Sequence, residues 1–228
     1  ADLANVQAQY GEKLQVTAEG LGSRKREAYA PESLATRWSE LKGKYDSAAL
    51  VSLATDLKGL LLHTGDTSNL ILDPDLDSYY LMDITLLALP QTQGRLISTQ
   101  FEVAELAAKG ELSADEKVKM AVYSAMFAES DRGRIAADFD TVFNEDPNFY
   151  GVSETLTGLK PILEAYAASS QAFETILSDM AAGKRVAKDA VVAAARDLSA
   201  KSFELWQKSV DELDKLLEKR ISFYNNKR

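Results

Sequence analysis

Trp206, Val210, Leu213, Leu217, Ile221 and Tyr224 recur at steps of four, three, four, four and three. That spacing puts one apolar stripe on one face of a helix. A second stripe, Leu198, Leu205, Leu216 and Phe223, lies beside it. The pattern predicts a helix from about Lys188 almost to the end of the chain, roughly 60 Å long at 1.5 Å per residue. A helix of that length without a terminal cap is unusual for a compact enzyme. It is expected of a rod that continues into a membrane span.

The rest of the chain reads the same way. Period-two alternation of β-branched residues is absent, so no strand competes. Helices are expected over about 2–28, 32–44 and 46–63, then a loop over 64–72. Long helices are expected over about 74–109, 113–143, 153–182 and 188–226. Short turns between long helices imply antiparallel neighbours. The expected fold is all-α: an elongated antiparallel helical bundle of long helices, with two stacked bundles as its longer form.

The punctuation is specific. Gly110 and Gly183 stand where helices stop. Ser113-Ala114-Asp115-Glu116 reads as a capping box. Asp73-Pro74 reads as an N-cap followed by proline at the first helical position. Asp75 and Asp77 then fall in the first turn, where the helix dipole favours negative charge. Asn144 to Asn148 is a turn cluster, and Ser153 is placed to cap the next helix. Pro90 and Pro161 fall inside expected helices. Each removes a backbone hydrogen bond and is expected to kink or break its helix. Both lie a similar distance before a stopping glycine. One domain over residues 1–228 is therefore expected, with sub-modules divided near Pro90 and Pro161.

Composition narrows the function. With 228 residues, 46% hydrophobic and 27% charged, the chain is long enough to bury a core. Having no cysteine, it has neither disulfides nor thiolate metal sites. A net charge of −9 argues against a nucleic-acid partner. Only the C-terminus is basic, with Lys215, Lys219, Arg220, Lys227 and Arg228 against Glu218. Those cations either complement a helix C-terminus or meet lipid headgroups. No stretch approaches the ~20 apolar residues of a membrane span, and no signal peptide is visible. A receptor domain of this composition would be a segment lying between two spans.

Few residues suggest chemistry. Asp73, Asp75 and Asp77 alternate like calcium-loop ligands, but Ser78 and Ile84 stand where that loop needs glycine and glutamate. Helix capping explains Asp73 and Asp75 better. His63, the only histidine, follows three leucines, and a surface or helix-end role is expected. Asp66, Ser68 and Asn69 are loop formers. Tyr79 and Tyr80 are core fillers with a polar tip. Asp83 stands in a helix apolar on nearly every face, so it is either partly exposed or a polar handle in a ligand cavity. Arg95 lies about 18 Å further along the axis, so a partner for Asp83 must come from another helix. The loop Asp146-Pro147-Asn148-Phe149-Tyr150 and the Asp73 helix start belong to one end of the bundle. An acidic, aromatic pocket there suits a cationic or amine ligand. No phosphate-binding glycine loop, nucleophile elbow or zinc motif appears, and no cofactor or metal is implied.

The run Asp66-Thr67-Ser68-Asn69-Leu70-Ile71-Leu72-Asp73-Pro74-Asp75-Leu76-Asp77-Ser78-Tyr79-Tyr80-Leu81-Met82-Asp83 resembles a segment of the helical extracytoplasmic sensor domains of bacterial methyl-accepting chemotaxis proteins and sensor histidine kinases. Trp38 and Leu41 before it, Leu89-Pro90 after it, and Leu216-Leu217-Glu218-Lys219-Arg220-Ile221 leading toward a second membrane span add to the likeness. The first thirty residues depart from the pattern, so no binding residue there is carried over. The resemblance implies a non-enzymatic periplasmic sensor domain, anchored to the inner membrane through flanking segments. It implies dimerisation, a small-molecule ligand and a cytoplasmic kinase or chemotaxis module downstream. Candidate ligand-binding residues are Asp66, Asn69, Asp77, Tyr79, Tyr80, Asp83 and Arg95. The competing reading is a non-catalytic helical scaffold that binds other proteins through its apolar stripes. A di-metal bundle enzyme needs Glu-x-x-His pairs, and the chain holds one histidine.

Overall fold

A computed structural model describes residues 3–44 and 46–227. The chain is all-α, and among the described residues there is no strand. It divides into two compact units at the Asp73–Pro74 bond. The division expected near Pro90 and Pro161 is not where the chain divides.

The first unit contains α1 (Leu3–Tyr10), α2 (Ala18–Ser23), α3 (Pro31–Leu41) and α4 (Ser47–Thr67). A single first helix over 2–28 does not form. Gln15 and Lys25 adopt left-handed φ of 51° and 57°. Thr17 then caps α2 by accepting from the Gly20 amide. Pro31 opens α3 and Asp46 caps α4 through the Ala49 amide. α4 continues past His63 to Thr67, because nothing in His63-Thr64-Gly65-Asp66 stops it. Asn69, at φ 61°, turns the chain into a single 3-10 turn, Leu70–Leu72. Val16, Leu34, Leu53 and Leu60 form this unit's core, with Leu14, Tyr29 and Leu41 against it.

His63 is wholly buried there, which corrects the expected surface role. Arg26 lies 3.1 Å from its Nδ1, and the Gln15 carbonyl 2.9 Å from its Nε2. Because arginine only donates, Nδ1 must accept and Nε2 carries the proton. The ring clamps the Gln15 turn onto α4. His63→Ala removes both bonds and opens a cavity, a loss of about 2–4 kcal/mol. Hydrogen exchange of α4 amides should accelerate by at least about tenfold. Unchanged protection would show that the clamp adds nothing.

The second unit is an up-down-up-down bundle. Its first helix joins α5 (Leu76–Asp83) to α6 (Leu89–Lys109) through a π-helical stretch, Ile84–Ala88. Its second joins α7 (Ala114–Ala125) to α8 (Arg134–Glu145) through a longer one, Met126–Gly133. α9 (Lys160–Ala181) and α10 (Lys188–Asn225) complete it. Glu102 meets Lys119, Arg95 meets Asp131 and Asp83 meets Arg134, so the first two helices run antiparallel. Ser124 meets Ser178 and Arg132 meets Glu174 across the next pair. Ser169 meets Asp197 across the third, and Trp206 meets Thr85 where α10 closes on the first helix. No helix among the described residues is long and apolar enough to cross a membrane.

Gly110 and Gly183 end their helices with φ of 88° and 80°, and the Ser113–Glu116 capping box forms in both directions. Three expectations are revised. The N-cap of α5 is Asp75, not Asp73. Ser153 does not cap a helix; its amide donates to both oxygens of Asp146, and α9 begins at Lys160. Pro161 therefore sits in a first turn, where its missing N–H is not needed, and it breaks nothing.

The stripe beginning at Trp206 is also not the deepest face of α10. Leu198, Leu205 and Leu216 are buried, with Ser202, Ser209 and Glu212 between them. Serines on that face escaped an apolar search although their small size suits close helix packing.

Candidate functional site

Pro90 has no N–H to offer, yet its helix continues. The Leu89 amide reaches back five residues to the Ile84 carbonyl. In π geometry the amide five residues after Thr85 would belong to Pro90, which has none. The Thr85 carbonyl is thereby left without a helical partner. The Trp206 indole supplies the bond from α10, at 2.8 Å. Such π insertions cluster at functional positions in helices generally. Here one proline creates an acceptor on the first helix that the last helix fills.

Trp206→Phe keeps most of the ring but leaves a buried carbonyl unpaired. We expect a loss of about 1–3 kcal/mol in chemical denaturation followed by circular dichroism. No loss would mean that another donor or water takes its place.

Around this point the bundle holds charges on inward faces. Asp131 is fully buried and receives Arg95 Nε at 2.7 Å. Burial pushes its carboxyl up, and the Arg95 guanidinium pulls it back down in part. Arg132 donates through Nε and Nη2 to both oxygens of Glu174, at 2.9 and 2.8 Å, and Ser170 adds a third bond. Arg134 holds both oxygens of Asp83 at 2.8 and 2.7 Å. All three arginine–carboxylate pairs join different helices. Two use neighbours on the π stretch, Asp131 and Arg132, which reach opposite partners.

Asp138 is the exception. Among the described residues its buried Oδ2 has no hydrogen-bond partner, and it lies 3.9 Å from Arg134 Nε. One arginine therefore serves two carboxylates. Burial, and then the neighbouring Asp83, push the Asp138 carboxyl up to about 7.

A third polar group sits where α5 begins. Arg220 of α10 bonds Asp75 at 2.7 Å and Ser78 Oγ at 2.5 Å. Tyr150 donates to Asp75 at 2.9 Å, and its ring packs against Phe223 and Tyr224. Asp77 is buried, accepts from the Ser78 amide at 2.7 Å, and is pushed up by that burial and by nearby Asp75 and Asp146. The helix start and the loop after α8 do meet, and acidic and aromatic residues do gather. The cation among them is the protein's own Arg220.

The candidate ligand residues are accordingly dispersed. Asp66 pairs with Arg26 at 2.7 Å and Asn69 forms a left-handed turn, both in the first unit. Asp77 lies at the start of α5, and Tyr79 and Tyr80 pack edge to face on each other. Asp83 and Arg95 find separate partners on the second helix, as their axial distance requires. None of the seven lines the cavities described for either unit. Arg134, Asp131, Arg132, Glu174, Asp138 and Trp206 were not singled out from sequence as polar partners. The one available signal was the need of Asp83 for a cation from elsewhere.

No protein-family model, no curated protein and no solved structure matches this chain.

Proposed function

We propose that the chain is the extracytoplasmic ligand-sensing domain of a bacterial transmembrane signalling receptor, of the chemoreceptor or sensor histidine kinase kind. The observation that carries this reading is the Asp66–Asp83 run, whose likeness to such sensors is long and compositionally specific. The same run ends on Asp83, the residue that joins the first two helices of the bundle. On this reading the domain is periplasmic and is held by membrane spans flanking the sequence. It works as a homodimer and has no catalytic role of its own.

The bundle offers a means of transmission. α10 spans 38 residues, about 57 Å. It contacts the first helix through Trp206–Thr85 and Arg220–Asp75. Hydrogen bonds and ion pairs have discrete arrangements, so a ligand that favours one register shifts α10 along or about its axis. A scaffold rod has no need for four arginine–carboxylate pairs between the helices of the bundle. Such pairs add little net stability compared with apolar packing, and their best-attested use is to fix register.

The test is a chimera in which the 228 residues replace the periplasmic domain of a sensor kinase of known output. Ligand-dependent kinase output, from a panel of amino acids, amines and organic acids, supports the reading. Flat output across the panel, with the chimera in the membrane and the domain folded, favours the scaffold.

A further inference from the structure

We infer that the end of the bundle formed by the loops 110–113 and 182–187 is a binding site for a small oxyanion, a carboxylate or phosphate group. The binding itself does not depend on the sensor reading; only its signalling consequence does.

Each loop carries a glycine in the left-handed region where its helix ends, Gly110 and Gly183. The absent side chains also make room for cations reaching across. Arg185, from the second loop, lies against Gly110. Its Nη2, Cζ and Nε are 3.4, 3.7 and 3.7 Å from where a Cβ would stand. Near-equal distances mean that the guanidinium lies with its face toward Gly110, which leaves its N–H edge for a ligand. Reciprocally, Lys117 of α7 brings Nζ within 3.1 Å of the Cβ position on Gly183. The two cations and the two glycines line a cavity of about 250 Å³, together with Glu111, Leu112 and Lys184. A second cavity of about 390 Å³, past Arg185, runs to Ala187 at the start of α10 and also takes in Lys109.

The charges are unequally used. Lys109 is paired with Glu116 and Lys184 with Asp179. Neither Lys117 nor Arg185 is in an ion pair among the described residues. In a chain of net charge −9, these two cations face the same cavity, with Lys184 beside them. Among the described residues α10 also begins without a side-chain cap; the Ala190 amide bonds back to Ala187, which leaves those of Lys188 and Asp189 for an acceptor. A guanidinium edge suits the planar or tetrahedral oxygens of carboxylate and phosphate, and an ammonium adds a second contact without fixed geometry. The bland alternative is that both cations only complement the C-termini of α6 and α9; that role predicts no saturable ligand. An anion held by Lys117 and Arg185 joins α7 to the loop that starts α10. In a receptor, that is a connection between the ligand and the longest helix.

The test is calorimetric titration of the 228-residue chain in a buffer free of multivalent anions. Inorganic phosphate and succinate are titrated separately, with sodium chloride at matched ionic strength as control. Saturable binding of at least one, at one site per chain, is expected. Lys117→Ala with Arg185→Ala should weaken it by at least about tenfold, while Lys208→Ala, far along α10, should not. Glu111→Gln removes a competing carboxylate and should tighten binding. Circular dichroism confirms that the substitutions leave the fold intact. Phosphate alone binding names a phosphoryl ligand, and succinate alone a carboxylate. A response no different from sodium chloride, or binding that survives the double substitution, overturns the site. Binding that persists in a chimera without kinase output leaves the site standing and counts against the receptor reading.

Discussion

Arg95→Met should unfold the bundle more readily by about 3–5 kcal/mol, because it leaves a buried carboxylate without its cation. Asp131 has no exposed side-chain surface, and Arg95 is 12% exposed. Removing the guanidinium takes away the one cation hydrogen-bonded to Asp131 among the described residues. The carboxyl must then bind a proton or draw water into the bundle, and either costs stability. The companion substitution discriminates. Arg95→Met with Asp131→Leu removes both charges and should recover most of the loss. Urea denaturation followed by tryptophan fluorescence in a Trp38→Phe background reads both, since Trp206 lies in the same unit. A small loss in the single variant would mean that Asp131 is already protonated when the bundle is folded. Failure of the double variant to recover would mean that the pair fixes the geometry of the π stretch as well as neutralising charge.

Asp138→Asn should remove most of the decline in bundle stability between about pH 4 and about pH 7 and stabilise the protein above that range. The folded Asp138 carboxyl sits at about 7, against an ordinary value of 3.8. The folded state therefore holds a proton that the unfolded state has released, and stability falls as pH rises through that window. The contribution is fully present below the unfolded value and gone above the folded one. Across α5 the facing group is Asp83, and on its own helix it is Arg134. Asp131, earlier on the same helix, is held by Arg95. Asparagine presents no charge for burial to penalise, and the expected gain at about pH 8 is on the order of 1–3 kcal/mol. Asp77 and Asp131 are pushed the same way by burial, so some decline should remain. Equal midpoints for the parent and Asp138→Asn across the range would show that Asp83 and Asp138 share Arg134 without a proton.

Much of the helical layout is legible in the residues. Gly110, Gly183 and Ser113–Glu116 mark helix ends by chemistry confined to a few neighbouring positions, and each stands where it was read. Apolar periodicity locates α10 to within about two residues. Asp83 announces its need for a cation from another helix because a charge in an apolar helix has few alternatives. Local rules fail where a distant group competes with them. Ser153 looks like a cap, but the Asp146 carboxylate takes its amide. His63 looks like a helix-end residue, but Gln15 and Arg26 bury it.

What the sequence by itself determined is the all-α class, the number and ends of the long helices apart from the start of α9, and their antiparallel order. These depend on periodicity and on turns a few residues long. Only the tertiary structure decided which helix faces are deepest, where the chain divides and which charges pair. Arg134 reaches Asp83 across 51 positions, and Trp206 reaches Thr85 across 121. No residue pattern encodes such a partner, because it is selected by the register in which whole helices pack. Pro90 shows both halves of this. Its missing N–H is written in the chain, but whether that gap becomes a break or a π turn depends on Trp206 filling the carbonyl it leaves.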